Sequence, residues 1–368
     1  MKKKRITGFD KLMFVVALIM AVGMIMGIRA GVSDPREHIL IAFFGLAYPF
    51  FLLANVLILG YWLVRTKWAI AALTLAIICY GGHTLLATFG LFGDKGDLQK
   101  GDGSLIRMMT YNVHNFTPYG EEINISAKEK MLDVVAVQKP DIICFQEFYT
   151  RTKGPYDIID SLKRLLDFKY YYFVPSMESE KESIGMAIFT RFPIKKTGRI
   201  DFTGVTGNMS LFVDLAVKEK VIRVYNVHLQ SISFVSRDYS YLDRVKDMNT
   251  EMSSSKRIAR MLKFAFEKRS EQVDIMKAHM RRCETPYIIA GDFNDTPASY
   301  VVTKITDSLN NAFIKKGQGF GKTYNGKFPN FQIDYIATTK DIDVVNYKII
   351  EAKLSDHFPV RSDLRLKN

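Results

Sequence analysis

Three long stretches without Asp, Glu, Lys or Arg occupy most of the first 92 residues and restrict what this part of the chain can form. They cover residues 12–28, 39–64 and 68–92. A helix rises about 1.5 Å per residue and a hydrocarbon core is about 30 Å thick, so each stretch can cross a membrane. A helix packed on a soluble core would show a polar face, and none of the three does. Three apolar core helices are therefore the weaker alternative, and the sequence predicts three transmembrane helices.

Cations flank these stretches unevenly. Residues 2–5 are all basic, Lys11 follows them, and Arg65 and Lys67 lie between the second and third stretches, whereas residues 29–38 mix both signs. The positive-inside rule therefore places the N-terminus and the Arg65–Lys67 turn in the cytoplasm. Three crossings would leave everything after residue 92 on the other side. The expected location is a bacterial inner membrane, with an extracytoplasmic C-terminal part.

Cysteine content and net charge exclude some kinds of site and favour one class of partner. Three cysteines cannot form a disulfide framework, and no Cys/His cluster of the kind that holds zinc is present. The net charge of +13 favours anionic partners such as nucleic acid or a lipid surface. This charge is spread along the chain and does not specify a fold.

A glycine-rich polar segment, 93–103, separates the apolar part from the remainder. Such a segment cannot bury a core and behaves as a linker. The sequence therefore predicts a membrane anchor over 1–92, a linker over 93–103 and a globular domain over 104–368.

Strand and helix signals alternate through the predicted domain. A capping-box pattern from Ser126 to Glu129 opens a helix that ends near Gln138, and further helices are expected over 157–166 and 256–282. Segment 231–255 lacks periodicity and is either a surface excursion or a lid. This alternation predicts one large α/β domain of packed layers. The expected strands cover residues 105–112, 141–146, 170–175, 184–190, 209–217, 221–229, 287–290, 331–338, 344–351 and 358–366.

Polar residues cluster where these strands end. Each one alone has an ordinary structural explanation, such as a turn cap or a hydrogen-bonded core histidine. Loops at strand ends nevertheless carry function in layered domains, because the scaffold holds them in place and leaves them accessible. The cluster contains Asn112, Gln146, Glu147, Asn226, His228, Asp292, Asn294, Asp356 and His357.

Short motifs containing these residues, in this order, resemble the endonuclease/exonuclease/phosphatase superfamily. The resemblance runs from about residue 107 to 360. It implies a four-layer α/β/β/α sandwich with two central, mostly antiparallel sheets, preceded here by the three predicted membrane helices. It also implies a metal-dependent phosphoester hydrolase site at one edge of the sheets. The matching motifs are TYN at 110–112, CFQE at 144–147, GMAIFTRFPI at 185–194, NVHL at 226–229, GDFN at 291–294, TYNG at 323–326, IDYI at 333–336 and SDH at 355–357.

The resemblance also implies a role for each residue. Glu147, Asn112 and Asp356 would bind Mg²⁺ or Mn²⁺, and their hard oxygen atoms suit these ions. Asp292 would orient or deprotonate the attacking water, and Asn294 would hydrogen-bond a phosphate oxygen. His228 and His357 would donate to the phosphate, and Asp334 would accept from the ring of His357.

Two further residues are predicted to bind substrate. Asn226 precedes His228 in the second copy of the tetrapeptide YNVH, and His114 ends the first copy. His114 matches no family position. It would lie on the same face as Asn112 if the strand continued, because side chains two residues apart share a face.

The favoured function is a membrane-anchored, nuclease-like phosphodiesterase that depends on Mg²⁺ or Mn²⁺. The NVHL motif and the net basicity favour nucleic acid as the substrate. The alternatives are hydrolysis of a phospholipid headgroup, as in sphingomyelinases, or of an inositol phosphate. An inert binding module on the same fold is a further alternative, but it would need to lack at least one ligand or clamp residue. None is missing, and no obligate protein partner is inferred.

Overall fold

The computed structural model describes most of the chain. The basic residues 2–5, part of the predicted linker and most of the 231–255 segment lie outside the described residues. Those described are 6–91, 93, 96, 99–118, 125–202, 207–232, 252–326 and 331–367.

Ten helices and fifteen strands are defined within these ranges, together with a 3-10 turn over His114–Phe116. The helices are α1 Gly8–Ala30, α2 Ile39–Leu46, α3 Tyr48–Val64, α4 Trp68–Tyr80, α5 Gly82–Thr88, α6 Ile125–Gln138, α7 Ile158–Leu166, α8 Met252–Met280, α9 Tyr300–Thr306 and α10 Ala312–Lys316. The strands are β1 Phe89–Gly90, β2 Ile106–Asn112, β3 Ile142–Arg151, β4 Tyr170–Glu178, β5 Glu182–Thr190, β6 Ile194–Asp201, β7 Met209–Val217, β8 Lys220–His228, β9 Tyr287–Asp292, β10 Asn310–Asn311, β11 Gly319–Phe320, β12 Asp334–Thr338, β13 Ile342–Val344, β14 Lys348–Ile349 and β15 Val360–Leu366.

The N-terminal helical unit, α1–α5, contains one continuous helix that is long and apolar enough to cross a membrane. This helix is α1, with 23 residues. The prediction of three spans is supported in part, because α2 meets α3 at 60° and α4 meets α5 at 69°. Three candidate spans remain only if each bent pair counts as one. Pro49 lies in the first turn of α3, and the glycine pair Gly81–Gly82 separates α4 from α5; both interrupt a continuous helix.

The two ends of the helical unit have different environments. At one end, Arg65 pairs with the buried Asp10 at 2.6 Å, and the Tyr61 hydroxyl donates to the same carboxylate at 2.7 Å. The other end contacts the C-terminal domain, where a side chain at Gly31 would collide with Thr303 of α9. The start of α1 and the α3–α4 turn are therefore held together at the end away from the domain.

Two mixed sheets form the centre of the C-terminal domain. Their strand orders are β10-β12-β9-β8-β7-β6 and β13-β15-β2-β3-β5-β4, with β14 also paired to β15. The pairs β8–β9 and β2–β3 are parallel, and the remaining pairs in both sheets are antiparallel. The prediction of an α/β domain with two mostly antiparallel sheets is confirmed.

Apolar side chains fill three interfaces around these sheets. Residues such as Met108 and Ile188 of one sheet pack against Leu211 and Val224 of the other. On the outer faces, α6 and α7 cover the β2–β3–β5 sheet, and α8 and α9 cover the β7–β8–β9 sheet. The layers follow the order α/β/β/α, which is consistent with the predicted sandwich.

The structure differs from the predicted elements at several places: helices α9 and α10 were not predicted, and the predicted strand 344–351 is divided between the end of β13 and β14. Strand β6 was not predicted, because most of its side chains are exposed and polar and it shows no apolar alternation. The described linker residues contact the domain instead of only connecting to it. Lys100 Nζ lies 2.8 Å from Asp141 Oδ2, and β1 pairs with β11 just before the linker begins.

Candidate active site

Strand pairing brings most of the predicted site residues to one edge of the two sheets. In the first sheet His228 at the end of β8 is in register with Asp292 at the end of β9, and Asp292 is in register with Asp334 at the start of β12. In the second sheet Asn112 ends β2 beside Gln146 of β3. The residues come from separate parts of the sequence, so only the folded sheets assemble them.

A β-bulge directs Glu147 into this edge. The register of β3 with β5 shifts between Phe145 and Phe148, and Glu147 has a φ of 50°. A bulge interrupts the alternation of side chains between the two faces of a strand and so redirects one of them. Non-glycine residues with a left-handed backbone conformation also recur at functional sites. Glu147 consequently lines the cavity at this edge of the sheets, while its neighbours Gln146 and Phe148 remain buried.

Asp292 lies at the centre of the cluster. Its Oδ2 atom accepts from Asn112 Nδ2 at 3.1 Å, and its Oδ1 atom accepts from the backbone N–H of Asn294 at 2.8 Å. Burial raises the pKa of Asp292 to about 6, and the nearby Asp334 carboxylate adds to this shift while His357 and His228 oppose it. Asp292 is thus a buried acid with a pKa suited to proton transfer near neutral pH.

Asp334 and His357 form a hydrogen-bonded pair. His357 Nδ1 lies 3.0 Å from Asp334 Oδ2, and its Nε2 faces Asp292 Oδ2 at 3.6 Å. Burial opposes the charged imidazolium, but Asp334, Asp292 and Asp356 outweigh it and raise the pKa of His357 well above its ordinary value. These carboxylates favour the imidazolium form of His357, and its ring pairs with Asp334 as the family resemblance implied.

The motif at 323–326 positions this pair. Thr323 Oγ1 accepts from the backbone N–H of Asp334 at 3.1 Å, and the Thr323 carbonyl accepts from the N–H of Phe358 at 2.7 Å. Tyr324 and His357 form an isolated antiparallel β-bridge. The Tyr324 ring lies edge-on to the imidazole, with 5.6 Å between the ring centroids. The motif supports the site by connecting the Asp334 and His357 segments.

His228 points an unpaired nitrogen into the cluster. Its Nε2 atom is buried and has no hydrogen-bond partner among the described residues, and it lies 3.8 Å from both Glu147 Oε1 and Asp292 Oδ2. Buried polar atoms without partners are rare in folded proteins. A ligand oxygen between the two histidines would satisfy this atom.

The loop after β9 is held by an arginine that the sequence did not indicate. Arg269 of α8 is buried, donates to the backbone carbonyl of Asn294 at 2.5 Å and pairs with Asp295 at 3.1 Å. Asn294 itself has a φ of 55°, and its Nδ2 donates to the Leu229 carbonyl at 3.0 Å. The loop therefore holds Asn294 against the end of β8, on the wall of the cavity.

The candidate metal ligands partly match the prediction. Glu147 and Asp356 both line the cavity, together with Asp292. Asn112 directs its amide nitrogen, not its oxygen, toward Glu147 and Asp292, because its oxygen accepts from the N–H of His114 at 3.1 Å. Metal binding by Asn112 would therefore need its amide group to flip, so that the oxygen and not the nitrogen faces Glu147 and Asp292.

Carboxylate density at this edge suits a divalent cation. Asp292, Asp334 and His357 present ligand atoms within 4.8 Å of one another, although the Asp334–His357 hydrogen bond accounts for part of this proximity. Hard oxygen donors are those that Mg²⁺ and Mn²⁺ prefer. Glu147 and Asp356 offer such donors on the cavity lining and so fit this ion, and a cation there would stabilise the ionised form of Asp292, whose pKa burial raises.

Two residues predicted to bind substrate lie elsewhere. Asn226 is fully buried between the sheets, where Nδ2 donates to the carbonyls of Phe145 and Ala187 and Oδ1 accepts from Gln146 Nε2 at 2.6 Å. Its polar atoms join the two sheets and do not reach the cavity. Strand β2 ends at Asn112, and His114 turns into a 3-10 segment with a φ of 44°, so the assumption of continued extension is wrong.

Comparison with known families agrees with this geometry. The model of the Endonuclease/Exonuclease/phosphatase family matches residues 109–357, which is more than half of the chain and contains every residue of the cluster. The chain belongs to this family. Family members are usually hydrolases of phosphoesters and typically use divalent metals. A second model, described as a domain of unknown function (DUF8431), matches residues 10–88 in the helical unit. No curated protein matches the chain.

Solved structures of the family share the fold. An endonuclease/exonuclease/phosphatase from Beutenbergia cavernae has a TM-score of 0.53 at 19% identity, over 72% of this chain and 72% of that one. The human Nocturnin catalytic domain has a TM-score of 0.52 at 18% identity, over 72% of this chain and 95% of that one. A mannosyl-6-phosphatase from Bacteroides thetaiotaomicron has a TM-score of 0.50 at 18% identity, over 70% of this chain and 99% of that one. At these identities the similarity shows the fold and leaves the substrate open.

Proposed function

We propose that this protein is a membrane-anchored phosphodiesterase that uses a divalent metal ion at the edge of the two sheets. One observation carries the proposal. The Asp292 carboxylate faces the Nε2 atoms of two histidines, His357 at 3.6 Å and His228 at 3.8 Å. A base beside two hydrogen-bond donors matches what hydrolysis of a phosphoester requires.

Each side chain has a task in this proposal. Asp292 accepts a proton from the attacking water, and the backbone N–H of Asn294 holds the carboxylate in orientation. His357, kept cationic by Asp334, and His228 donate to phosphate oxygens as negative charge develops in the transition state. A binding module with no catalytic role would not require this arrangement of base and donors.

Glu147 and Asp356, with Asn112 after its amide turns, would hold the Mg²⁺ or Mn²⁺ ion. When bound, such an ion neutralises charge on the phosphate and the leaving oxygen. Chelation is expected to abolish hydrolysis. Full-length protein in detergent should hydrolyse bis(p-nitrophenyl) phosphate with Mg²⁺ or Mn²⁺, lose at least about 99% of the rate in EDTA, and recover on addition of excess metal. Undiminished hydrolysis in EDTA by protein first stripped of metal would refute metal dependence.

The helical unit supports an orientation for the anchor. The long apolar helix α1 suggests membrane anchoring, and the end of the unit that holds Asp10 and Arg65 lies away from the domain. Basic residues near that end favour the cytoplasm. We therefore propose that the catalytic domain lies outside the cytoplasm.

Reporter fusions in a bacterial host test this orientation. Alkaline phosphatase fused after Asn368 is expected to be active, because it folds outside the cytoplasm, and green fluorescent protein at the same position is expected to be dark. A fusion within the Arg65–Lys67 turn is the matched control and should give the opposite pattern. A fluorescent C-terminal fusion with inactive phosphatase would place the domain in the cytoplasm.

A further inference from the structure

The cavity that contains Asp292 and His357 has one polar side and one apolar side. The polar side carries the candidate catalytic residues Asp292, Asn294 and His357 and the candidate metal ligands Glu147 and Asp356. We call the other side the apolar wall, and it consists of Leu46, Ile232, Leu262, Phe266, Phe331 and Ile333. Leu46 ends helix α2 of the helical unit, so the N-terminal helices contribute directly to the lining of the cavity.

Packing between α2 and α8 builds most of this wall. Ile258, Leu262 and Phe266 lie one turn apart on the same face of α8 and pack against α2. The rings of Phe43 and Phe266 meet edge-on at 5.5 Å. The α1–α2 loop is attached to α8 as well, since Arg36 pairs with Asp274 at 2.7 Å. The contact between the helical unit and the domain is therefore formed beside the catalytic residues.

The apolar wall continues outward to exposed apolar side chains. Phe331 of the wall lies edge-on to Phe50 of α3 at 6.4 Å, and Phe50 is 58% exposed. Leu40 of α2 is 70% exposed. Helix α2 has eight residues, about 12 Å in length, so it cannot cross a membrane by itself and lies bent against α3. Exposed apolar side chains of the helical unit are therefore continuous with the apolar wall through the Phe50–Phe331 contact.

Cations are sparse in the cavity. Among the described residues that line it, Arg269 is the only Lys or Arg side chain, and its guanidinium is engaged with Asn294 and Asp295. Arg257 and Arg260 line an adjoining groove that shares Ser231 and Ile232 with this cavity. Among the described residues that line the cavity itself, however, no further Lys or Arg is present to track the phosphates of a nucleic acid. A substrate with a single phosphoester and a hydrocarbon chain fits this cavity better, because the phosphoester can contact the polar side and the chain can contact the apolar wall.

We infer that the substrate is a membrane lipid, whose phosphoester enters beside Asp292 while its hydrocarbon chain lies on the apolar wall. This inference rests on the proposed function and adds the substrate class. In the reaction, the oxygen of one water forms the new bond to phosphorus and the ester P–O bond breaks. The released alcohol carries one of the two water protons, and the other remains with the phosphate product.

Two chromogenic phosphodiesters that differ only in the alkyl chain test the inference. Methyl and dodecyl p-nitrophenyl phosphate share one leaving group, and p-nitrophenyl thymidine 5′-phosphate represents nucleic acid. The measured quantity is the ratio of kcat/KM for the dodecyl and methyl esters, with full-length protein in phosphatidylcholine nanodiscs and Mn²⁺. Each methylene that leaves water raises kcat/KM about fourfold, so burial of a few methylenes predicts a ratio of at least about 10.

Variants of the wall separate binding in the cavity from partitioning into the nanodisc. Leu46→Asn and Leu262→Asn are expected to lower the ratio at least about fivefold, because an amide replaces apolar surface. Leu46 is half-buried, so its variant serves if Leu262→Asn does not fold. Phe264→Asn is the matched control, since Phe264 is 52% exposed on α8 and lies outside this cavity, and it should leave the ratio unchanged.

The outcomes distinguish the two proposals. A ratio near one, a ratio that both wall variants leave unchanged, or a preference for the thymidine ester over the dodecyl ester would overturn the lipid inference while the phosphodiesterase proposal stands. If wild-type protein hydrolyses none of the three esters, the phosphodiesterase proposal itself is overturned.

Discussion

Asp292→Asn is expected to lower kcat by a factor of about 10²–10⁴, because the amide cannot accept the proton of the attacking water. Asparagine retains the size of the side chain and an oxygen that can accept from the N–H of Asn294, which now donates at 2.8 Å. The rate of p-nitrophenol release from a chromogenic phosphodiester, measured with full-length protein and saturating Mn²⁺, gives the effect.

Folding of this variant should be preserved. Burial raises the pKa of Asp292 to about 6, so the ionised carboxylate is destabilised in the folded protein near neutral pH. A neutral amide removes this penalty, and the apparent Tm is expected to equal or exceed that of the wild type. Asp201→Asn is the matched control, because Asp201 is an exposed acid on β6. A wild-type rate in Asp292→Asn would rule out Asp292 as the base.

Asp363→Ala is expected to destabilise the C-terminal domain by about 3–5 kcal/mol. Asp363 on β15 faces Arg107 on β2, with Nε donating at 2.6 Å and Nη2 at 2.8 Å, and both side chains are buried. Removal of the carboxylate leaves a buried guanidinium without its counter-ion. A fall of several degrees in the apparent Tm of the full-length protein in detergent would report this loss.

The effect should depend on burial of the ion pair and not on loss of an acid as such. Asp343→Ala on β13 breaks an exposed contact with Lys367 at 3.1 Å and should change stability by less than about 1 kcal/mol. The double variant Arg107→Met/Asp363→Leu should recover much of the loss, because two apolar side chains need no partner. Equal Tm values for Asp363→Ala and wild type would show that the pair contributes little.

The sequence was most informative where polar residues interrupt apolar strands. Asp292, His228 and Glu147 each follow a run of core residues, and these positions together, in order along the chain, mark them as candidates for a site. The long helix α8 and the N-cap of α7 at Asp157 were also predictable, since periodicity and capping are local properties.

Other features depend on contacts between distant segments. Arg269 lies within a long helical pattern rich in charge, and nothing local marks it as the residue that holds Asn294 in place. Asn226 occurs in a motif with His228, but its orientation into the interface between the sheets follows only from how those sheets pack. The apolar wall combines residues of α2, α8, the segment after β8 and the segment before β12, so no one of these segments predicts it.

Hydropathy alone did not predict the bends in the helical unit. An uncharged stretch over 39–64 is long enough to cross a membrane, but Pro49 and the adjoining bend divide it. Composition records how apolar a segment is and does not record where its axis turns. That turn places α2 beside the cavity, so the bend within the predicted span bears directly on the proposed substrate.

The most direct test of the account compares wild-type protein with the double variant Asp292→Asn/His357→Ala. The measurement is the rate at which full-length protein releases p-nitrophenol from bis(p-nitrophenyl) phosphate with Mn²⁺. Residues that act as one unit give non-additive losses, so the double variant should be at least about a thousandfold slower than wild type and little slower than the slower single variant. Equal rates for wild type and double variant, with both proteins folded, would contradict the assignment of a phosphodiesterase site to this cavity.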